Sequence, residues 1–170
     1  MSRAVHPVQF DLVPNSLQET AIRLLVAMVV GGFVGLDREW RQKPAGLRTH
    51  MLVCLAAATF TVLAGHISLM SRELGVQADP VRIIEAVTAG VAFLGAGAIF
   101  RMGDNVQGLS TGASVWLAGA MGVACGGGFY ELAALTTVLA LVVLTLLGFV
   151  QHHVLKAVDD NGKAAETEKK

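Results

Sequence analysis

Five long apolar segments alternate with shorter polar ones along most of the chain, and this pattern predicts the secondary structure. The segments cover residues 21–36, 51–70, 83–100, 106–124 and 132–150. Only two of them contain a formally charged side chain, Arg23 in the first and Glu85 in the third. Their lengths approach the roughly 20 residues that an α-helix needs to cross the hydrocarbon core of a bilayer. We therefore expect an all-α integral membrane protein, a bundle of about five transmembrane helices.

The same pattern of apolar segments argues against a soluble protein. Any one of these segments could be a core helix of a soluble protein, but five of them leave no amphipathic elements to cover the others. The composition agrees, with 54% hydrophobic and only 15% charged residues. The first segment follows mixed residues that include Pro7 and Asp11, so we interpret it as a retained helix and not a secretory signal.

The charges exclude some classes of function and orient the bundle. The 13 Lys and Arg residues balance the 13 Asp and Glu residues, which leaves no basic field for nucleic acid. With five spans, most basic residues fall on one side: Arg38, Arg41, Lys43, Arg48, Arg101, Lys156, Lys163, Lys169 and Lys170. The positive-inside rule then places this side in the cytoplasm. Residues 1–20 become an extracytoplasmic segment, residues 21–150 the transmembrane domain and residues 151–170 a cytoplasmic polar tail.

Three ordered blocks of residues resemble the MgtC/SapB family of bacterial inner-membrane proteins. The first block is Gly35-Leu-Asp-Arg-Glu-Trp-Arg41, with Lys43-Pro-Ala-Gly-Leu-Arg-Thr-His50 after it. The second is Asp79-Pro-Val-Arg-Ile83 with Ala92-Phe-Leu-Gly-Ala-Gly-Ala-Ile99, and the third is Val106-Gln-Gly-Leu-Ser-Thr111. Two residues depart from the family pattern: Asp37 stands where a Glu is common, and Glu85 stands where we expect an uncharged residue. The chain resembles a short, SapB-like form without the C-terminal soluble domain of some members.

The loop after the first span carries the densest group of candidate functional residues: Asp37, Arg38, Glu39, Arg41, Arg48, Thr49 and His50. If the first helix continues beyond the membrane, Asp37 with Arg41 and Glu39 with Lys43 are favourable i,i+4 pairs. One interpretation is a collar that anchors the helices among lipid headgroups. The other is a cytoplasmic network that closes a pathway or docks a partner, and the resemblance favours this second interpretation.

On the opposite side, Asp79, Arg82 and Glu85 form a second candidate group. Asp79 before Pro80 is typical of a helix N-cap, and Arg82 could pair with Glu85 one turn later. Alternatively, Asp79 and Glu85 belong to an acidic mouth that receives a cation. They are the candidate metal ligands of the chain, although the sequence contains no firm metal site.

Small residues line several of the predicted helices and supply packing faces. The residues concerned are Gly31, Gly35, Gly95, Gly97, Gly108, Ser110 and Thr111. Such faces let helix backbones approach closely inside a bundle, and a surplus of them also favours a homodimer. The hydroxyls near Gly108 either bond back to the preceding turn or line a pathway for an ion.

Two functions of different classes follow. The resemblance implies an inner-membrane protein linked to magnesium homeostasis and to stress or virulence adaptation, which binds and regulates other membrane proteins such as a membrane ATPase. The alternative is a channel or transporter for magnesium or another cation, with a possible Mg²⁺ interaction at the acidic residues. No nucleophile with a base, phosphate loop or metal triad is evident, so we expect neither enzymatic activity nor a cofactor.

Overall fold

The computed structural model describes residues 13–75, 79, 81–103 and 105–147. Within them the chain forms five α-helices, one two-stranded hairpin and one π-helical segment. The elements in chain order are α1 (Leu17–Trp40), α2 (Leu47–Glu73), α3 (Val81–Gly97), β1 (Phe100–Met102), β2 (Asn105–Gln107), α4 (Leu109–Gly126), α5 (Tyr130–Val142) and a π-helical segment, Val143–Leu147. The predicted all-α bundle is confirmed.

Three of the helices are long and apolar enough to cross a membrane: α1, α2 over Leu47–Ser71, and α4. The other two are shorter. Helix α3 has 17 residues, which at 1.5 Å per residue gives a length of about 25 Å. Helix α5 with the following π-helical turns forms an apolar stretch over Tyr130–Leu146. The predicted end of the last span at residues 148–150, the tail at 151–170 and residues 1–12 of the N-terminal segment lie outside the described residues.

Helix α1 begins earlier and ends later than its apolar segment predicts. Its N-cap is Ser16, whose hydroxyl accepts a hydrogen bond from the backbone N–H of Glu19 (3.1 Å). The Glu19 carboxylate in turn accepts one from the N–H of Asn15 (3.0 Å). This reciprocal capping satisfies N–H groups that a helix start leaves without partners. Hydropathy marks only the part of a helix that lipid covers, so it misses such polar ends.

The prediction for the junction between the third and fourth helices was wrong. We expected helices over residues 83–100 and 106–124, but α3 ends at Gly97 and an antiparallel hairpin follows, with Phe100 opposite Gln107. Two glycines explain the difference, because Gly103 has φ 64° and Gly108 has φ 85°. Right-handed helices exclude these values, and glycine adopts them without steric cost.

Helix α4 is the central helix of the bundle. It packs against α1, α2, α3 and α5. Its buried residues are Thr111, Gly112, Ser114, Val115, Ala118, Gly119, Met121, Gly122, Ala124, Cys125 and Gly126. Large apolar side chains on the outer helices, such as Phe33, Phe60 and Phe93, are exposed in the isolated chain. A lipid bilayer is the environment in which such a surface is stable.

Glycines allow the closest helix approaches, as the small-residue pattern predicts. A Cβ atom at Gly31 of α1 would lie 2.6 Å from the carbonyl oxygen of His50 in α2. Between α3 and α4, a Cβ at Gly95 would lie 2.9 Å from the carbonyl oxygen of Gly112. Carbon atoms cannot approach oxygen so closely, so these contacts exclude any larger residue without a backbone shift. By contrast, nothing lies within 4 Å of a Cβ built at Gly90 or Gly97.

Candidate functional site

Four polar side chains from three helices meet inside one end of the bundle. They are Arg38 of α1, His50 of α2, and Thr111 and Ser114 of α4, which we call the polar cluster. Their exposed fractions are 2%, 0%, 1% and 3% respectively. A polar group so deeply buried is costly unless it is hydrogen-bonded. Two of these residues, Arg38 and His50, belong to the candidate network predicted after the first span, which the structure places on α1 and α2, and Thr111 belongs to the predicted small-residue face.

The cluster is joined by short hydrogen bonds between helices. Arg38 donates from Nη2 to the Thr111 hydroxyl oxygen (2.8 Å), which links α1 to the first turn of α4. His50 Nε2 lies 3.1 Å from the Ser114 hydroxyl, which links α2 to α4. The other ring nitrogen of His50, Nδ1, lies 2.8 Å from the carbonyl oxygen of Gly46. A carbonyl can only accept, so this Nδ1 carries a proton.

The single hydroxyl proton of Ser114 has two acceptors within reach. One is the carbonyl oxygen of Thr111 at 2.9 Å, and the other is Nε2 of neutral His50 at 3.1 Å. A hydroxyl donates one hydrogen bond at a time. Ser114 can therefore satisfy both neighbours at once only if His50 also carries a proton on Nε2 and donates it. The bonding pattern of this corner depends on the protonation of His50.

Arg38 has fewer partners than a buried guanidinium needs. Its Nε is buried and has no hydrogen-bond partner. Neither of the two ion pairs among the described residues includes Arg38. The neighbouring Asp37 uses Oδ1 to accept from Arg41 Nε (2.9 Å) and from the Thr145 hydroxyl (3.2 Å), while its buried Oδ2 has no partner. The predicted Asp37–Arg41 pair is thus confirmed.

The second predicted pair of this loop, Glu39 with Lys43, is not formed. Helix α1 ends at Trp40, and the exposed Lys43 no longer lies on its surface. The carboxylate of Glu39 instead accepts a hydrogen bond from the backbone N–H of Leu47 (3.0 Å) and so caps the start of α2. Gly46 leaves room for this carboxylate, because a Cβ there would overlap Glu39 Oε2. Arg48 and Thr49 are exposed and lie outside the buried cluster.

A second buried arginine, which sequence reasoning did not propose as a site, lies at the other end of α1. Arg23 is 2% exposed and donates to the Gly126 carbonyl oxygen at the C-terminus of α4 (2.9 Å). It also forms an ion pair with Glu19 (2.6 Å). An arginine inside an apolar run was the available signal, since such residues face protein and pair there.

The two arginines hold α1 and α4 together at both ends. Arg38 contacts Thr111 near the start of α4, and Arg23 contacts Gly126 at its end. The arginines are as far apart along α1 as their two partners are along α4. The antiparallel helices therefore stay in one register. The cation at Arg23 meets the negative end of the α4 dipole, whereas Arg38 meets its positive end.

The opposite candidate group, Asp79, Arg82 and Glu85, is not assembled into a site in the described chain. Asp79 Oδ1 accepts a hydrogen bond from the backbone N–H of Val81 (2.9 Å), which agrees with the N-cap interpretation. Arg82 and Glu85 are exposed, and neither takes part in an ion pair that the structure describes. Among residues 13–75, 79, 81–103 and 105–147, no three His, Cys, Asp or Glu side chains come together to hold a metal ion.

Of the remaining predicted positions, some pack against other helices and others are exposed. Gly31 and Gly95 make the close helix contacts described above, and Gly35 lies against the backbone of Leu47. Gly108 precedes α4 as its N-cap residue. Ser110 is exposed, and Gly97 borders open space.

Comparison with known proteins gives consistent matches over most of the chain. The model of the MgtC family matches residues 24–153. Protein MgtC of Brucella abortus (strain 2308) is 42% identical over 136 residues, which are 80% of this chain and 54% of that protein. YhiD of Escherichia coli (strain K12), whose name presents it as a candidate magnesium transporter, is 40% identical over 128 residues, 74% of this chain and 59% of YhiD.

A third relative extends the same picture. Protein MgtC of Salmonella typhimurium (strain 14028s / SGSC 2262) is 40% identical over 126 residues, 74% of this chain and 51% of that protein. The chain spans about half the length of the curated relatives it matches. No solved structure matches it.

Proposed function

This chain belongs to the MgtC family, and from that membership we propose that it acts in magnesium homeostasis by binding and regulating another membrane protein. Its long apolar helices make it a membrane protein. We further propose that it resides in the inner membrane of a bacterium, where it supports adaptation to magnesium stress. In this proposal the N-terminus is outside, the loop after α1 is cytoplasmic, and the protein is not an enzyme.

The observation that carries the proposal is the apolar layer between the two buried arginines. This layer contains Ala27, Val30, Val34, Cys54, Ala57, Ala58, Val115, Ala118 and Met121, all buried. Hydrated Mg²⁺ keeps several water molecules and needs oxygen ligands, which these side chains do not supply. The polar groups at the ends of the layer hold the helices together. A packed bundle of this kind acts more readily through its outer surface than through its centre.

That outer surface contains an open small-residue face on α3. Gly90 and Gly97 lie two turns apart, and a Cβ at either position would contact nothing within 4 Å. Glycines at this spacing let a helix of another protein approach the backbone closely. We propose this face as the place where the regulated membrane protein, or a second copy of the chain, packs against the bundle.

Substitution on the α3 face tests the proposal. We expect Gly90→Leu to abolish the ability of the full chain to restore growth of a deletion strain at low magnesium, because the leucine blocks helix approach. Ala92→Leu is the matched control, since Ala92 is also exposed on α3 but lies on its other flank. The amount of each variant in the membrane is measured alongside. Full rescue by Gly90→Leu would contradict the proposed docking face.

A second candidate function, magnesium transport, is favoured by one observation. The buried Oδ2 of Asp37 has no hydrogen-bond partner, and a carboxylate oxygen is a ligand that Mg²⁺ prefers. The name of YhiD points to the same ion. The apolar layer of the bundle argues against a conducting centre, so we keep regulation as the main proposal.

A further inference from the structure

The N-terminus of α4 has none of the groups that usually neutralise a helix start. Its N-cap residue is Gly108, so no side chain caps it, and no acidic residue lies in its first turn. The first N–H groups of any α-helix have no partner within the helix, and together they carry about half a positive charge. The N–H groups of Leu109, Ser110 and Thr111 are in this position. Such an end attracts an anion.

The guanidinium of Arg38 adds a full positive charge at this helix end. Arg38 is 2% exposed, and it reaches the first turn of α4 through its hydrogen bond to Thr111. Its Nε is buried without a partner, and no described carboxylate pairs with it. Two positive groups in a buried corner repel each other, and desolvation adds to the cost. A bound anion would remove both penalties.

Among the described residues no carboxylate forms a hydrogen bond or ion pair with Arg38, although the charge of the neighbouring Asp37 offsets part of the cost of its burial. Asp37 directs Oδ1 to Arg41 and Thr145, and Glu39 caps α2 at Leu47. The same end of the bundle also carries exposed basic side chains: Arg41, Lys43, Arg48 and Arg101. This field attracts anions to the corner before any specific contact forms.

The first turn of α4 leaves the corner accessible from one side. Leu109 is 59% exposed and Ser110 is exposed as well, whereas Arg38 and Thr111 close the inner side. A ligand that enters beside this turn would meet the backbone N–H groups first and then the guanidinium, which is 2% exposed before the ligand enters. Several acceptor oxygens on one atom are needed to bond both. A phosphoryl group has this geometry, and arginine binds it through parallel N–H groups.

We propose that the corner between Arg38 and the N-terminus of α4 binds a phosphoryl oxyanion, either the headgroup phosphate of an acidic phospholipid or free phosphate. The site is independent of the regulatory function proposed above. Arg38 and the first-turn N–H groups of α4 bind the oxygens, and the Thr111 hydroxyl holds the guanidinium in place.

The two sources are distinguished with the full chain in a phosphate-free maltoside detergent. One arm titrates inorganic phosphate and follows binding by calorimetry. The other adds phosphatidic acid without free phosphate and counts bound lipid by native mass spectrometry. Binding in the first arm identifies free phosphate as a sufficient ligand, and binding in the second alone identifies a lipid headgroup. Absence of binding in both arms would overturn the proposal.

Variants locate the binding in either arm. Ser110→Asp places a carboxylate in the first turn of α4, where it occupies the anion site, and we expect affinity to fall at least about tenfold. Ser110→Asn is the neutral control of similar size and keeps the affinity. Arg38→Gln should also lose binding, although removal of this buried side chain can prevent folding. Because Ser110 is exposed, we expect its variants to fold in either case. Binding that resists Ser110→Asp but is lost in Arg48→Gln would assign the anion to the exposed basic surface and refute the site.

Discussion

Arg38 carries its charge inside the bundle with one hydrogen bond to a protein side chain, the hydroxyl of Thr111. Arg23 is equally buried but has an ion pair with Glu19 and a carbonyl at the end of α4. The two sites therefore differ in how far neighbouring groups compensate the buried positive charge. Burying a charge costs several kcal/mol unless it is paired, so the less balanced arginine is the better candidate for a ligand.

Ser114 and His50 provide a test of the polar cluster at the residue scale. We expect Ser114→Ala to lower the free energy of unfolding by about 1–2 kcal/mol, because the buried His50 Nε2 loses its hydrogen-bond partner. Ser110→Ala is the control: its hydroxyl is exposed, and we expect a change within about 0.5 kcal/mol. Unfolding of both variants by SDS in mixed micelles measures the difference. Equal stability of the two would show that the His50 contact contributes nothing.

At the scale of elements, the hairpin between α3 and α4 sets where α4 begins. Gly108 combines φ 85° with a position against the carbonyl oxygen of Ala98, which a Cβ would overlap. The left-handed backbone and the close contact both require glycine here. The hairpin therefore fixes the first turn of α4 beside Arg38, where the candidate anion site lies.

Alanine substitution tests this role of Gly108. We expect Gly108→Ala to lower the unfolding free energy by more than about 1 kcal/mol, through backbone strain and the clash with Ala98. Gly97→Ala is the matched change in the last turn of α3, where a Cβ meets open space, and it should leave stability unchanged or slightly higher. Thermal unfolding in detergent compares the two. A Gly97 variant less stable than the Gly108 variant would contradict the assigned role.

At the scale of the whole molecule, the buried arginines lie at the two ends of the bundle, and the layer between them is apolar except for the Thr137 hydroxyl, which donates to Met121 Sδ (3.3 Å). Arg23 with Glu19 lies at one end and the polar cluster at the other, and the layer between them contains buried Ala, Val, Cys and Met side chains. Since α4 is surrounded by the other helices, any pathway through the centre would have to separate them.

A magnesium flux measurement tests whether the centre of the bundle conducts ions. We expect liposomes that contain the purified full chain to take up no more Mg²⁺ than empty liposomes, because the layer offers no carboxylate and its nearby hydroxyl, that of Thr137, is already hydrogen-bonded. Asp37→Asn is measured beside it, since Asp37 Oδ2 is the buried carboxylate oxygen without a partner. Flux through the parent chain that Asp37→Asn removes would favour the transport function over the regulatory one.

Sequence reasoning predicted interactions well where they are local. The Asp37–Arg41 pair and the Asp79 cap join residues within one helix turn, so helix geometry alone specifies them. The predicted pair of Glu39 with Lys43 was wrong, because Glu39 instead caps α2 at the backbone N–H of Leu47. Sequence reasoning also failed at the end of α3, where the apolar character of residues 98–100 continues although the helix does not.

The sequence by itself determined the all-α membrane class, the approximate positions of the apolar helices and the family, because these follow from local composition and ordered motifs. Only the tertiary structure decided which polar residues meet. Arg38 and Thr111, His50 and Ser114, and Arg23 and Gly126 are distant in the chain and become neighbours only when α1 and α2 pack on α4. Helix rotation and register control these contacts, and both depend on the glycine approaches of the whole bundle.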